Sequence, residues 1–131
     1  MNKPLRTSLL AVCVIALTAG TACGGSVDFS DPASVTSAVF QAAKSGDTSK
    51  LAGLCDPKKE NDGDTRRICE LTPESKKFEQ FKEYFASGKV EGSPEIKGDK
   101  AQVKFKFGPK GEKDETMKLV QRDGKWYLAS F

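Results

Sequence analysis

The sequence predicts an α+β domain in which N-terminal helices pack on one face of a curved antiparallel sheet of three to four strands. Two observations carry this. Through the first half of the chain, apolar residues recur at helical spacing; after Gly88 the period changes to two. The strands of the second half are also joined by turn sequences short enough to make a meander, Gly98-Asp99-Lys100 and Arg122-Asp123-Gly124-Lys125.

The elements follow in order. Ser30-Asp31-Pro32 is a helix start, with capping oxygens followed by a proline in the first turn, where its missing N–H costs nothing. Val35, Val39, Ala42 and Ala43 then mark an apolar face, and Ser45-Gly46 ends the helix. Asp47 or Thr48 caps a second short helix through Leu51 and Leu54, which delivers Cys55. Thr72-Pro73-Glu74 opens a third helix with Phe78, Phe81 and Phe85 on one side and Tyr84 alongside. An aromatic stripe at this spacing reads as core lying against a sheet, and Ser87-Gly88 stops it.

Lys89 to Lys97 is a weak first strand interrupted by Gly92-Ser93-Pro94, which suggests a bulge or an edge. The clearest strand is AQVKFKF. Ala101, Val103, Phe105 and Phe107 point one way, and Gln102, Lys104 and Lys106 the other. After a charged loop, Glu115 to Gln121 forms a strand with Met117 and Leu119 inward; Trp126 to Phe131 closes the sheet.

The N-terminus gives an address. Lys3 and Arg6 precede the ten-residue apolar run LLAVCVIALT, too short to span a bilayer but right for the core of a signal peptide. Gly20-Thr21-Ala22-Cys23 resembles the lipobox of bacterial lipoproteins, whose cysteine is lipidated and becomes the first residue. Gly20 stands where the motif usually carries an aliphatic, and Ala22 also suits an ordinary signal peptidase, which would give plain secretion. Cysteine counting favours the lipoprotein. Cys13 leaves with the signal peptide, and a lipid on Cys23 leaves Cys55 and Cys69 as a pair, whereas plain secretion leaves an unpaired third cysteine in an oxidising compartment.

The resulting organisation is a signal peptide over 1–22, a lipidated cysteine and tether over 23–30, and a single domain over 31–131. Loss of Lys3 and Arg6 takes the 21 basic residues to 19, against 18 acidic, which gives no basis for nucleic acid as a partner.

Eight of the thirteen residues between Cys55 and Cys69 are charged. As an EF-hand with Gly63 at the turn, the stretch puts Lys58 at the first ligand position and Cys69 in place of the bidentate Glu. Zinc would want four close N or S ligands, and the chain has no histidine; a redox motif would want CxxC. A structural disulfide fits, closing a ring worth about 3 kcal/mol on a chain-entropy estimate. Asn61-Asp62-Gly63-Asp64 is turn chemistry, so the ring's charges are expected to face water. Glu60, Asp62 and Asp64 are left as a lesser candidate for weak cation or partner binding. No metal or cofactor is called for.

Taken together, DPASVTSAVFQAAKSGDTSKLAGLC at the front and KGDKAQVKFKF with MKLVQRDGKWYLASF at the back resemble small bacterial lipoproteins. These belong to the superfamily named after nuclear transport factor two, in a branch of uncharacterised function. The resemblance covers residues 31–131 and implies helices and a curved sheet forming a cone with a pocket inside. Its lining would be Val103, Phe105, Phe107, Met117, Leu119, Trp126 and Leu128, with Ala101 at the same face and Tyr84 reaching in from the third helix. The superfamily also contains isomerases and dehydratases that use acids, tyrosines or histidines in that pocket. None of the expected strand residues here can act as a general acid or base.

The reading is therefore a lipid-anchored envelope protein, held on the extracytoplasmic side of a membrane. Its domain is a non-catalytic binding or assembly module, with a small apolar ligand as the default occupant of an open cone. Its partners would be membrane proteins, lipids or cell-wall components. Two alternatives stand beside it: an isomerase- or hydrolase-type enzyme, or a basic sheet face of Lys104, Lys106 and Lys118, with Gln102 and Tyr127, binding an anionic envelope polymer.

Overall fold

The computed structural model describes residues 26–131; the expected signal peptide and the expected lipidation site, Cys23, lie outside the described residues. Helix α1 spans Pro32–Ser45. Asp31 caps it by accepting from the Ala33 N–H, and Gly46, at φ 74°, closes it with an N–H bond to the Ala42 carbonyl. A 3-10 turn, Leu51–Leu54, takes the place of the expected second helix and leads into Cys55.

Two further helices follow, α2 (Gly63–Cys69) and α3 (Phe78–Phe85). The first is a correction: Gly63 and Asp64, expected in a turn over residues 61–64, instead open a helix that fills the second half of the ring. Asp62 provides its start, accepting from the Thr65 N–H at 2.8 Å. The second is shorter than expected. Around Thr72-Pro73-Glu74 the chain makes a turn instead, in which the Ser75 hydroxyl accepts from the Thr72 N–H and the Thr72 carbonyl from the Ser75 N–H. Hydroxyl-to-backbone bonding of this kind competes with helix, and it delays α3 to Phe78.

The sheet is antiparallel and has five strands rather than three to four: β1 (Lys89–Val90), β2 (Glu95–Lys97), β3 (Lys100–Phe107), β4 (Lys113–Arg122) and β5 (Lys125–Ser130). Gly92-Ser93-Pro94 splits the first edge in two, and both pieces pair with β3, at Phe105–Lys106 and Lys100–Gln102. Asp123 (φ 51°) and Gly124 (φ 78°) make the two-residue turn from β4 to β5, both in the left-handed region that such hairpins require. Between Lys118 and Leu119 the register shifts, leaving Ala129 as an extra residue of β5.

The inner face of the sheet meets α1. Val35 and Val39 are fully buried against the core that holds Ala101, Val103, Phe105, Met117, Leu119, Trp126 and Leu128. The Phe40 ring stands 5.4 Å from Phe105 and 6.4 Å from Phe85, so α1, α3 and the sheet share one aromatic cluster. Among the described residues no helix is long and apolar enough to cross a membrane.

Candidate functional site

Cys55 and Cys69 are disulfide-bonded across a Cα–Cα distance of 6.1 Å, as the sequence predicts. The ring does more than turn. Its first limb runs beside β5, where the Asp56 N–H donates to the Leu128 carbonyl and the Asp62 N–H to the Ala129 carbonyl. Its charges do not all face water. The Asp56 carboxylate is fully buried and accepts two bonds from Arg122 of β4, Nε to Oδ1 at 3.2 Å and Nη2 to Oδ2 at 3.0 Å. The Lys58 N–H adds a third bond. The Arg122 bond is the chief cause holding the Asp56 carboxyl below the usual carboxylate range, against the opposing effect of burial.

The three carboxylates considered for a cation are engaged separately. Glu60 pairs with Arg122 at 2.9 Å, Asp62 caps α2, and Asp64 pairs with Arg67 at 2.9 Å. Among the described residues no group of His, Cys, Asp or Glu is placed to hold a metal ion.

A cleft of about 270 Å³ opens between α2, α3 and the far end of the sheet. Its apolar floor is Ile68, Leu71, Phe81, Tyr84, Phe85, Phe107 and Phe131, and its rim carries Asp64, Arg67, Lys77 and Gln80. The rim groups are exposed to solvent. The floor is held by ring contacts. Phe85 lies 5.2 Å from Phe81, 5.4 Å from Phe107 and, edge-on, 5.9 Å from Phe131. Tyr84 is flanked by Phe107 at 6.4 Å and carries the Lys113 ammonium 5.0 Å over its ring.

Of the eight residues expected to line a pocket, Tyr84 and Phe107 line this cleft. The other six, Val103, Phe105, Met117, Leu119, Trp126 and Leu128, lie in the core cluster, each at most 3% exposed. The reason is the bulk facing them: Val35, Val39 and Phe40 of α1 occupy the space over the inner face. The cleft instead forms at the edge of that packing, where α2 and Phe131 meet α3. Sequence reading missed Ile68, Leu71 and Phe131 because the helix carrying Ile68 was not foreseen; the Ile68–Leu71 spacing within the ring's exit was the available signal.

A second hollow, of about 410 Å³, lies where the N-terminal segment joins the domain, lined by Val27, Phe29, Gly53 and Leu54 with polar Ser26, Ser49 and Lys50. No protein-family model, curated protein or solved structure matches the chain.

Proposed function

We propose that this is a lipid-anchored bacterial envelope protein, held through Cys23 on the extracytoplasmic side of a membrane, whose domain is a non-catalytic binding module. The observation that carries the reading is the cleft between α2 and α3: an apolar, largely aromatic floor whose charged groups are confined to an exposed rim. Such a cleft favours an apolar or aromatic moiety over a reacting polar substrate, because its floor offers contact area with one phenol hydroxyl. A disulfide of the kind stable outside the cytoplasm supports the address. Helices followed by an antiparallel meander, with the first helix across the inner face, support descent from the superfamily of nuclear transport factor two. In this chain the cone is filled, and binding moves to its rim.

The test is native mass spectrometry of the protein purified from its own cells, beside a Gln80→Trp variant. Gln80 is an exposed rim residue, so the larger side chain narrows the cleft without entering the core. The wild-type chain should begin at an acylated Cys23 and carry a small apolar molecule that the variant lacks, with equal thermal stability. A wild-type chain that is bare, or a ligand retained equally by the variant, overturns the cleft as binding site.

A further inference from the structure

The outer face of the sheet, uncovered by any helix among the described residues, collects lysines. Cross-strand register places Lys97, Lys100, Val120 and Tyr127 in one row, Gln102 and Lys118 in the next, then Lys104 with Thr116, and Lys89 with Lys106 and Asp114. Lys106 is paired with Asp114 at 2.8 Å. Among the described residues, Lys89, Lys97, Lys100, Lys104 and Lys118 have no ion-pair partner, and all five are exposed. Besides Asp114, two carboxylates interrupt them: Glu95, opposite Gln102, and Glu91, whose N–H donates to the Lys104 carbonyl.

A second observation concerns where the chain enters the domain. Phe29 sits along β5, its carbonyl accepting from the Trp126 N–H at 2.8 Å, and its ring rests 5.6 Å from Tyr127. Tyr127 belongs to the first row of the outer face. The described chain begins at Ser26, three residues after Cys23, a reach of at most about 10 Å. An anchor on Cys23 therefore brings the β5 edge against the bilayer. Either the outer sheet face or the side bearing the helices must then lie toward the headgroups.

Charge decides between them. From Lys89 onward the chain carries ten basic and seven acidic residues; from residue 23 to Gly88 it carries nine and eleven, with Asp28, Asp31 and Asp47 near the point of entry. We infer that the outer face of the sheet is a membrane-apposed surface, on which Lys97, Lys100, Lys104 and Lys118 rest against anionic lipid headgroups. The inference takes the anchor at Cys23 from the proposed function. It adds a lipid surface as the partner of a face that reading leaves idle.

The test installs the anchor chemically, so that it does not depend on what the cell does to Cys23. The oxidised chain from Cys23 onward has one free thiol, which couples to a maleimide lipid in vesicles of phosphatidylcholine alone or mixed with phosphatidylglycerol. Lysines are then acetylated with a water-soluble reagent and read by mass spectrometry. On the anionic vesicles Lys100, Lys104 and Lys118 should react about fivefold more slowly than on neutral ones, while Lys76 and Lys82 on the α3 side react equally on both. The protection should fade in high salt. A Lys104→Glu/Lys118→Glu variant, changed only at exposed positions, should fold normally and lose the protection of Lys100. Equal reactivity on the two vesicles overturns the inference, as does protection of the α3 lysines instead. Protection that appears only when an anionic wall polymer is added overturns it too, by assigning the face to a polymer. An unmodified Cys23 in the cell, with the vesicle footprint as expected, would remove the anchor reading and leave the surface standing.

Discussion

Gly88 shows how much one hydrogen in place of a methyl decides. A Cβ there would lie 2.2 Å from Cδ1 and 2.6 Å from Cγ of the Phe40 ring, which is buried between α1, α3 and β3. Gly88→Ala should cost about 1–3 kcal/mol, since the ring has no room to retreat, and thermal denaturation of the purified variant measures it. Asp56 is the second such position. Its carboxyl is held below the usual range, so its contribution is present above the unfolded carboxylate pKa and is lost as pH falls through the folded value. The acid limb of a stability profile should therefore steepen below about pH 4. Asp56→Asn should flatten that limb. It should also lower stability near neutrality by about 2 kcal/mol, softened because Arg122 keeps Glu60 at its solvent end.

Among the elements, the disulfide ring is the one whose role exceeds what its composition suggested. It couples a strand-like limb on β5, a buried ion pair to β4 and the helix that walls the cleft. Replacing both cysteines with serine should remove about 3 kcal/mol and lower Tm by roughly 10–20 °C, seen by calorimetry. The cleft should loosen before the sheet does, because Ile68 and Arg67 ride on α2. The elements with a strong local signal were legible in sequence. These were α1 with its Asp31 cap and Gly46 stop, the alternation of β3, the Asp123-Gly124 turn and the Cys55–Cys69 pairing. What escaped was settled by contacts distant in the chain. Asp56 is buried only because Arg122 arrives 66 residues later, and α2 is short enough that its capping aspartate reads equally well as a turn. The filled inner face of the sheet likewise follows from α1 side chains meeting strand residues, which no local pattern reports.

At the scale of the molecule, the two ends of the sheet are unlike. β3 and β5 finish together at Phe107 and Phe131, beside the cleft, whereas Phe29 enters at the start of β5. The entry of the chain at Phe29 and the cleft thus sit at opposite ends of the strands, roughly 15–20 Å apart along β5. A domain resting on its lysine face would hold the cleft on its upper, helix-bearing side, open to whatever passes above the bilayer.

The sheet's borders carry a consequence for crowding. Along β5, the backbone groups of Trp126, Leu128 and Ala129 are already taken by Phe29, Asp56 and Asp62, and the opposite border is broken at Gly92-Ser93-Pro94. Neither offers a long row of vacant amides to a neighbouring copy. Tethering to a membrane confines molecules to two dimensions and multiplies their encounters, the circumstance in which an open border would seed fibrils. With the proposed anchor in place, sealing both sides would let many copies share a patch of membrane and remain separate molecules.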